Sequence, residues 1–170
     1  MENIEIKIRL RDFGAVRAKL KKMGARSCGL LVQRDTYFTC PDGRLKLREF
    51  PGKTAQLIHY TRPETSARRL SRFNILPVEH PRQFAGFMAR VLPVRVVVSK
   101  KRQLYYVESA RIHLDKVRGL GSFLEIESEV RKGRPAARAL MLRLMKELAI
   151  NKRDCIRKSY ADLLLKKTPA

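Results

Sequence analysis

The chain has 170 residues, 44% of them hydrophobic and 32% charged, which is enough for one globular domain with a real core, expected to span 1–170. No apolar run approaches membrane-spanning length, and the polar start Met1-Glu2-Asn3 is unlike a secretory signal, so a cytoplasmic protein with no membrane partner is expected. The net charge of +22 predicts attraction to polyanions, including nonspecific attraction, without saying which. Cys28, Cys40 and Cys155 are odd in number and far apart, and they read as reduced thiols rather than a disulfide or zinc framework.

Residues 2–10 alternate Ile4, Ile6, Ile8 and Leu10 against polar partners and predict a strand. Asp12 is placed as the cap of a helix whose apolar side is Phe13, Val16, Leu20 and Met23, with Gly24 at its C-terminal end. A long strand is expected from Leu30 to Thr39, then a Pro41-Asp42-Gly43 turn into a strand over 44–50. Pro51-Gly52 turns into a strand over 55–62, and another is expected over 70–76. Pro81 opens a helix with Phe84, Phe87, Met88 and Val91 on one side. Strands are then expected over 94–101, 104–108, 110–115 and 122–130, with Gly119-Leu-Gly121 in the turn before the last. Helices over 135–149 and 154–165 close the chain. Short turns between the strands make the sheet antiparallel.

Within these strands charges recur at every second position. Arg44, Lys46 and Arg48 alternate with leucines; Arg111, His113 and Asp115 alternate with Ile112 and Leu114; Glu125, Glu127 and Glu129 alternate with Leu124, Ile126 and Ser128. Side chains two apart share a strand face. Stripes so numerous and so mixed in sign predict an α+β fold: a closed antiparallel β-barrel of about eight strands with a polar tunnel, flanked by amphipathic helices. Alone, each stripe reads as a solvated sheet face, and the cluster Lys100-Lys101-Arg102 reads as surface. Tyr37 and Tyr60 read as wall packing, and His59 and His113 as hydrogen-bonding residues rather than ligands.

Taken in order, the pieces resemble the CYTH-domain family, the triphosphate tunnel metalloenzymes that include class IV adenylyl cyclases and thiamine-triphosphatase-like enzymes. The matching segments are Asn3-Ile-Glu-Ile-Lys7, near the E-x-E-x-K signature, Gln33-Arg-Asp-Thr-Tyr-Phe38, Gly43-Arg-Leu-Lys-Leu-Arg-Glu49 and Ile58-His-Tyr-Thr-Arg-Pro63. They continue with Arg111-Ile-His-Leu-Asp115, Gly119-Leu-Gly-Ser-Phe-Leu-Glu-Ile-Glu127 and Lys158-Ser-Tyr-Ala-Asp-Leu. One residue departs from the signature: Asn3 stands where its first glutamate would be.

The resemblance implies an enzyme on triphosphates, either a cyclase making cyclic AMP and pyrophosphate from ATP or a hydrolase of ATP, tripolyphosphate or thiamine triphosphate. It implies Mg²⁺ or Mn²⁺ as cofactor and a monomer or homodimer. By motif position Lys7, Arg48, Arg102 and Lys158 are catalytic cations, Lys46, Arg62 and Arg111 complete the substrate site, and Asp115, grouped with them, partners a metal or a basic residue. Glu5, Glu125 and Glu127 face the metal. Arginine and lysine match phosphate oxygens, and hard divalent cations take carboxylate oxygens, so both kinds of group are needed. No P-loop, dinucleotide fingerprint, nucleophile elbow or Cys/His ligand spacing offers another enzyme class. The rival reading is a non-catalytic basic module binding polyphosphate, nucleotide or nucleic acid.

Overall fold

The computed structural model describes residues 3–61, 72–131 and 133–167. Its eight strands are β1 (Asn3–Leu10), β2 (Arg26–Phe38), β3 (Arg44–Glu49), β4 (Ala55–Thr61), β5 (Arg72–Val78), β6 (Val94–Val107), β7 (Ala110–Val117) and β8 (Gly121–Glu129). The helices are α1 (Gly14–Lys22), α2 (Pro81–Val91), α3 (Arg134–Glu147) and α4 (Tyr160–Leu165). All strands join one antiparallel sheet in the order β1-β8-β7-β6-β2-β3-β4-β5.

The sheet curls until residues of β1 and β5 line one cavity. Among the described residues no ladder joins β1 to β5, so the barrel expected to close by hydrogen bonds closes around its lumen without that last pairing. The polarity is inverted, as the stripes predicted. Odd-numbered residues of β1, β7 and β8 face the lumen, and their even-numbered neighbours pack outward. Ile8, Ile112, Leu114, Leu124 and Ile126 meet Val16 and Leu20 of α1 and Leu140, Met141 and Leu144 of α3. Full burial of such a side chain contributes about 1.5–3 kcal/mol. On the other side of the barrel Phe84 and Met88 of α2 pack on Phe38, Leu47, Ala55 and Val78.

Three expectations shift. The two strands expected over 94–101 and 104–108 are one fourteen-residue strand, β6, because Arg102 and Gln103 keep the extended alternation. Strand β2 begins at Arg26, earlier than expected; a register shift at Gly29, with φ +82°, lets the ladder with β6 continue past it. The last helix is short. Residues 152–154 form a 3₁₀ turn, Ile8 bridges Cys155, the Ile156 amide bonds the Lys7 carbonyl at 2.7 Å, and α4 starts only at Tyr160. A reciprocal capping box of Ser159 and Asp162 fixes that start. Gly43 is required by its turn: its φ is +67°, and a Cβ would stand 2.6 Å from the Tyr60 carbonyl oxygen. Arg62 lies outside the described residues.

Candidate functional site

The lumen, a cavity of about 330 Å³, receives side chains from all eight strands and from the start of α4. Two walls of different character face each other. On β2, β3 and β6 the centre is Asp35, 1% exposed. Its carboxylate accepts from Arg48 Nε at 2.7 Å and Nη2 at 2.8 Å, from Lys46 Nζ at 3.1 Å and from Lys100 Nζ at 3.2 Å. Burial alone would raise Asp35, and Lys100, Lys46 and Arg48 overcome it and hold the carboxyl well below its usual range. One carboxylate shared by three cations leaves the lysines poorly compensated. Burial and the Arg48 guanidinium push Lys46 down to about 7 despite Asp35, and burial also pushes Lys100 down.

The facing wall comes from β1, β7 and β8. Register sets Lys7 opposite Glu125 and Glu5 opposite Glu127, while β7 sets His113 opposite Glu125 and Arg111 opposite Glu127. Glu125 bonds Lys7 Nζ at 2.9 Å and Arg102 Nη2 at 2.6 Å, and Arg111 Nη2 bonds Glu127 at 2.8 Å. Burial would raise Glu125, but Lys7, His113 and Arg102 outweigh it; His113 and Arg111 do the same for Glu127, so both glutamates are held ionised. His113 is 4% exposed. Among the described residues its Nδ1 has no hydrogen-bond partner, and it lies 3.7 Å from each of the two carboxylates, beyond hydrogen-bond reach. One donor atom each from His113, Glu125 and Glu127 falls within 4.8 Å of the others. Two hard oxygens and one imidazole nitrogen around a common point fit a divalent cation, and an orphaned buried nitrogen aimed at that point supports the fit.

Helix α4 closes one end of the lumen. The Tyr160 hydroxyl donates to Asp115 Oδ2 at 2.9 Å, its ring meets Phe123 edge-on at 5.0 Å, and Lys7 Nζ sits 4.3 Å from the ring centroid. Arg44 reaches Ser159 Oγ at 2.6 Å and Asp162 at 3.0 Å, tying β3 to the capping box.

Of the residues named from sequence, the structure brings Glu5, Lys7, Lys46, Arg48, Arg102, Arg111, Glu125 and Glu127 to the lumen, with Asn3 on the same face. Two others lie outside the lumen lining. Asp115 is fully buried behind Arg102, which it holds by Nε at 2.7 Å and Nη2 at 2.5 Å; it is the partner of a basic residue, as one of its two expected roles had it, and has no exposed face for substrate. Lys158 is absent from the lumen lining, in a segment before α4 that is irregular, with a bend at Lys158, rather than helical; its carbonyl faces Lys7 Nζ at 3.4 Å, while Lys166 pushes its ammonium down. Sequence reasoning missed Asp35 and Lys100, and it read His113 as a hydrogen-bonding residue where the structure makes it a candidate ligand. The parity that paired Asp35 with Gln33 and Tyr37, and Lys100 with Arg102, was the available signal. Reading Lys100-Lys101-Arg102 as one cluster hid that only Lys101 points outward.

Residues 1–160 match the family model of the CYTH domain. A protein of Methanocaldococcus jannaschii, named "Putative adenylate cyclase", is 31% identical over 179 residues, covering 96% of this chain and 98% of its own length. Among solved structures, the PH1012 protein of Pyrococcus horikoshii superposes with a TM-score of 0.85 at 23% identity, covering 96% of this chain and 99% of that one. A Hippeastrum protein described as a putative adenylyl cyclase with a dominant triphosphatase activity gives a TM-score of 0.69 at 18% identity, covering 100% and 98%.

Proposed function

Because the chain belongs to the CYTH domain family, we propose that it works as one unit whose lumen holds a triphosphate beside a divalent cation and cleaves the triphosphate. The observation that carries the reading is the pairing of two walls in one small cavity. Six cations, Lys7, Lys46, Arg48, Lys100, Arg102 and Arg111, surround a space bordered by the His113, Glu125 and Glu127 donors. The cations would hold phosphate oxygens in place of the carboxylates they now share. Glu5, Glu125, Glu127 and His113 would hold Mg²⁺ or Mn²⁺, which when bound neutralises charge on the phosphate chain.

Two reactions fit this cradle. In hydrolysis, water attacks the terminal phosphorus and the bond to the diphosphate oxygen breaks. In cyclisation, a ribose 3′-hydroxyl attacks the α-phosphorus and pyrophosphate leaves. Both depend on positioning and charge neutralisation. Hydrolysis is the better supported, since it asks the lumen to recognise only phosphates. The rings of Tyr37 and Tyr60, which could stack on a base, already face Lys46 Nζ at 5.4 and 5.7 Å. The name of the M. jannaschii relative favours cyclisation as the second reading.

The test is ligand-induced stabilisation. Tripolyphosphate with Mn²⁺ raises the melting temperature by mass action, about 2.7 kcal/mol at a hundredfold excess over Kd. Arg48→Ala, which removes a lumen cation, needs at least tenfold more ligand for the same shift. No shift for the parent at saturating ligand and metal refutes the reading.

A further inference from the structure

The lumen accounts for little of this protein's net charge. Its six cations face Glu5, Asp35, Glu125 and Glu127, with Asp115 behind Arg102, so the described lumen carries a net +1 out of a total of +22. Among the described residues most of the excess lies on the outside, and part of it is gathered in a second concavity of about 1540 Å³ on the outer face of the sheet. Lys101, Lys116 and Arg118 stand along one side of this groove; Arg34, Lys53, Arg82 and Lys167 line the rest. Apart from Lys100, whose ammonium points into the lumen, seven cations therefore meet, among the described residues, only two carboxylates, Glu49 and Glu79, and Glu49 is engaged with Arg34 at 3.4 Å.

Lys101 is directly opposite Lys116 on β7 and directly opposite Val32 on β2. Like charges on directly opposed strand positions destabilise a sheet. A cation row that costs the fold stability suits a ligand that neutralises it. The floor between the cations is apolar: Val32 is 44% exposed, and Phe50, Pro51 and Pro81 share the lining. Cations from separate elements around a concave, partly apolar channel match a chain with a phosphate at each repeat and bases or sugars between; a flat bilayer surface could not enter it.

We propose that this outer groove binds the phosphate backbone of a single-stranded nucleic acid, independently of metal and of the lumen. The tunnel reading is not needed for it. The test is fluorescence anisotropy with a labelled RNA strand of about 16 nucleotides, the upper site size for such grooves, carrying no triphosphate, in excess EDTA. The expected result is binding that weakens with salt along a slope of log K on log salt of about −4 to −5, from seven cations at about −0.7 each for a single strand. K101E/K116E/R118E should weaken binding at least tenfold at about 0.1 M salt and reduce the slope by about 2. It should keep the tripolyphosphate-induced thermal shift, which shows that it is folded. A control with the same change in net charge, R138E/K152E/R153E, uses exposed residues outside the groove and should lose less than threefold. Equal losses in the two triple variants would mean that diffuse net charge alone attracts the strand, and would overturn the proposal. So would displacement of the strand by stoichiometric tripolyphosphate, or no binding at all.

Discussion

Replacing Asp35 by Asn removes one charge and keeps the shape, and the structure says what that charge does. Asp35 is 1% exposed and serves Lys46, Arg48 and Lys100 together. Without it, three ammonium or guanidinium groups sit in a desolvated cavity with no counter-ion on their wall. Removing one partner of a buried ion pair costs about 3–5 kcal/mol, against a total stability of about 5–15 kcal/mol for a domain. At about 2–4 °C per kcal/mol for a chain of this size, the melting temperature should fall by roughly 6–20 °C. Lys46, already pushed down to about 7, can relieve part of the strain by shedding its proton, so the loss should be larger at pH 6 than at pH 9. Tripolyphosphate supplies the missing negative charge and should recover more stability in Asp35→Asn than in the parent. Calorimetric melting at both pH values, with and without tripolyphosphate, decides it. An Asp35→Asn variant that melts within about 2 °C of the parent at pH 6 would refute the claim that this carboxylate balances the basic wall.

Glu127→Ala should lower turnover by about a hundredfold or more while leaving the fold intact, since bridging by the bound cation supplies several kcal/mol to the transition state; Mn²⁺ titration should show weaker metal binding, and full activity in excess EDTA would contradict the assignment. In the same titration Asn3→Glu, which puts a carboxylate on the lumen face two residues from Glu5, should bind the metal more tightly than the parent, and superimposable curves would remove Asn3 from the site. Lys46 should couple ligand binding to protons. Its folded value of about 7 lies below its ordinary 10.5, so between those limits the unfolded chain holds the extra proton and Lys46 makes stability rise with pH; below about 7 the full cost of burying the ammonium applies. A bound triphosphate restores the ammonium, so at pH 8 binding should take up about 0.9 proton more in the parent than in Lys46→Arg. Calorimetry in buffers of different ionisation enthalpy measures this, and equal uptake by the two proteins would contradict it.

The strands and the inverted polarity were legible because both follow from period-two alternation, which any reader of residues 3–10 or 121–129 can see. The walls of the lumen were half legible. Glu125 and Glu127 announce themselves as a stripe, and so do Lys46 and Arg48. Asp35 does not, because a lone aspartate between Arg34 and Thr36 has the same local pattern on an exposed strand as in a buried cation hub. What makes it central is the antiparallel register that sets it opposite Arg48 on one side and Val98 on the other, with Lys46 and Lys100 reaching across. Register between strands β2 and β6, some sixty residues apart, is a tertiary property. Lys158 went astray for the opposite reason. Its neighbourhood carries a helical composition, but the ladder contact of Ile8 with Cys155 and the capping box at Ser159 hold residues 155–159 out of a helix.

Whether the charged lumen converts a triphosphate is answered by identifying the products. Purified protein is incubated with tripolyphosphate, ATP, GTP and thiamine triphosphate in Mg²⁺ or Mn²⁺, and the products are resolved by phosphorus NMR and chromatography. The expected result is metal-dependent release of phosphate from at least tripolyphosphate, or of pyrophosphate with a cyclic nucleotide from ATP or GTP, and loss of that product in Glu127→Ala. A protein that leaves all four substrates intact with either metal would contradict it.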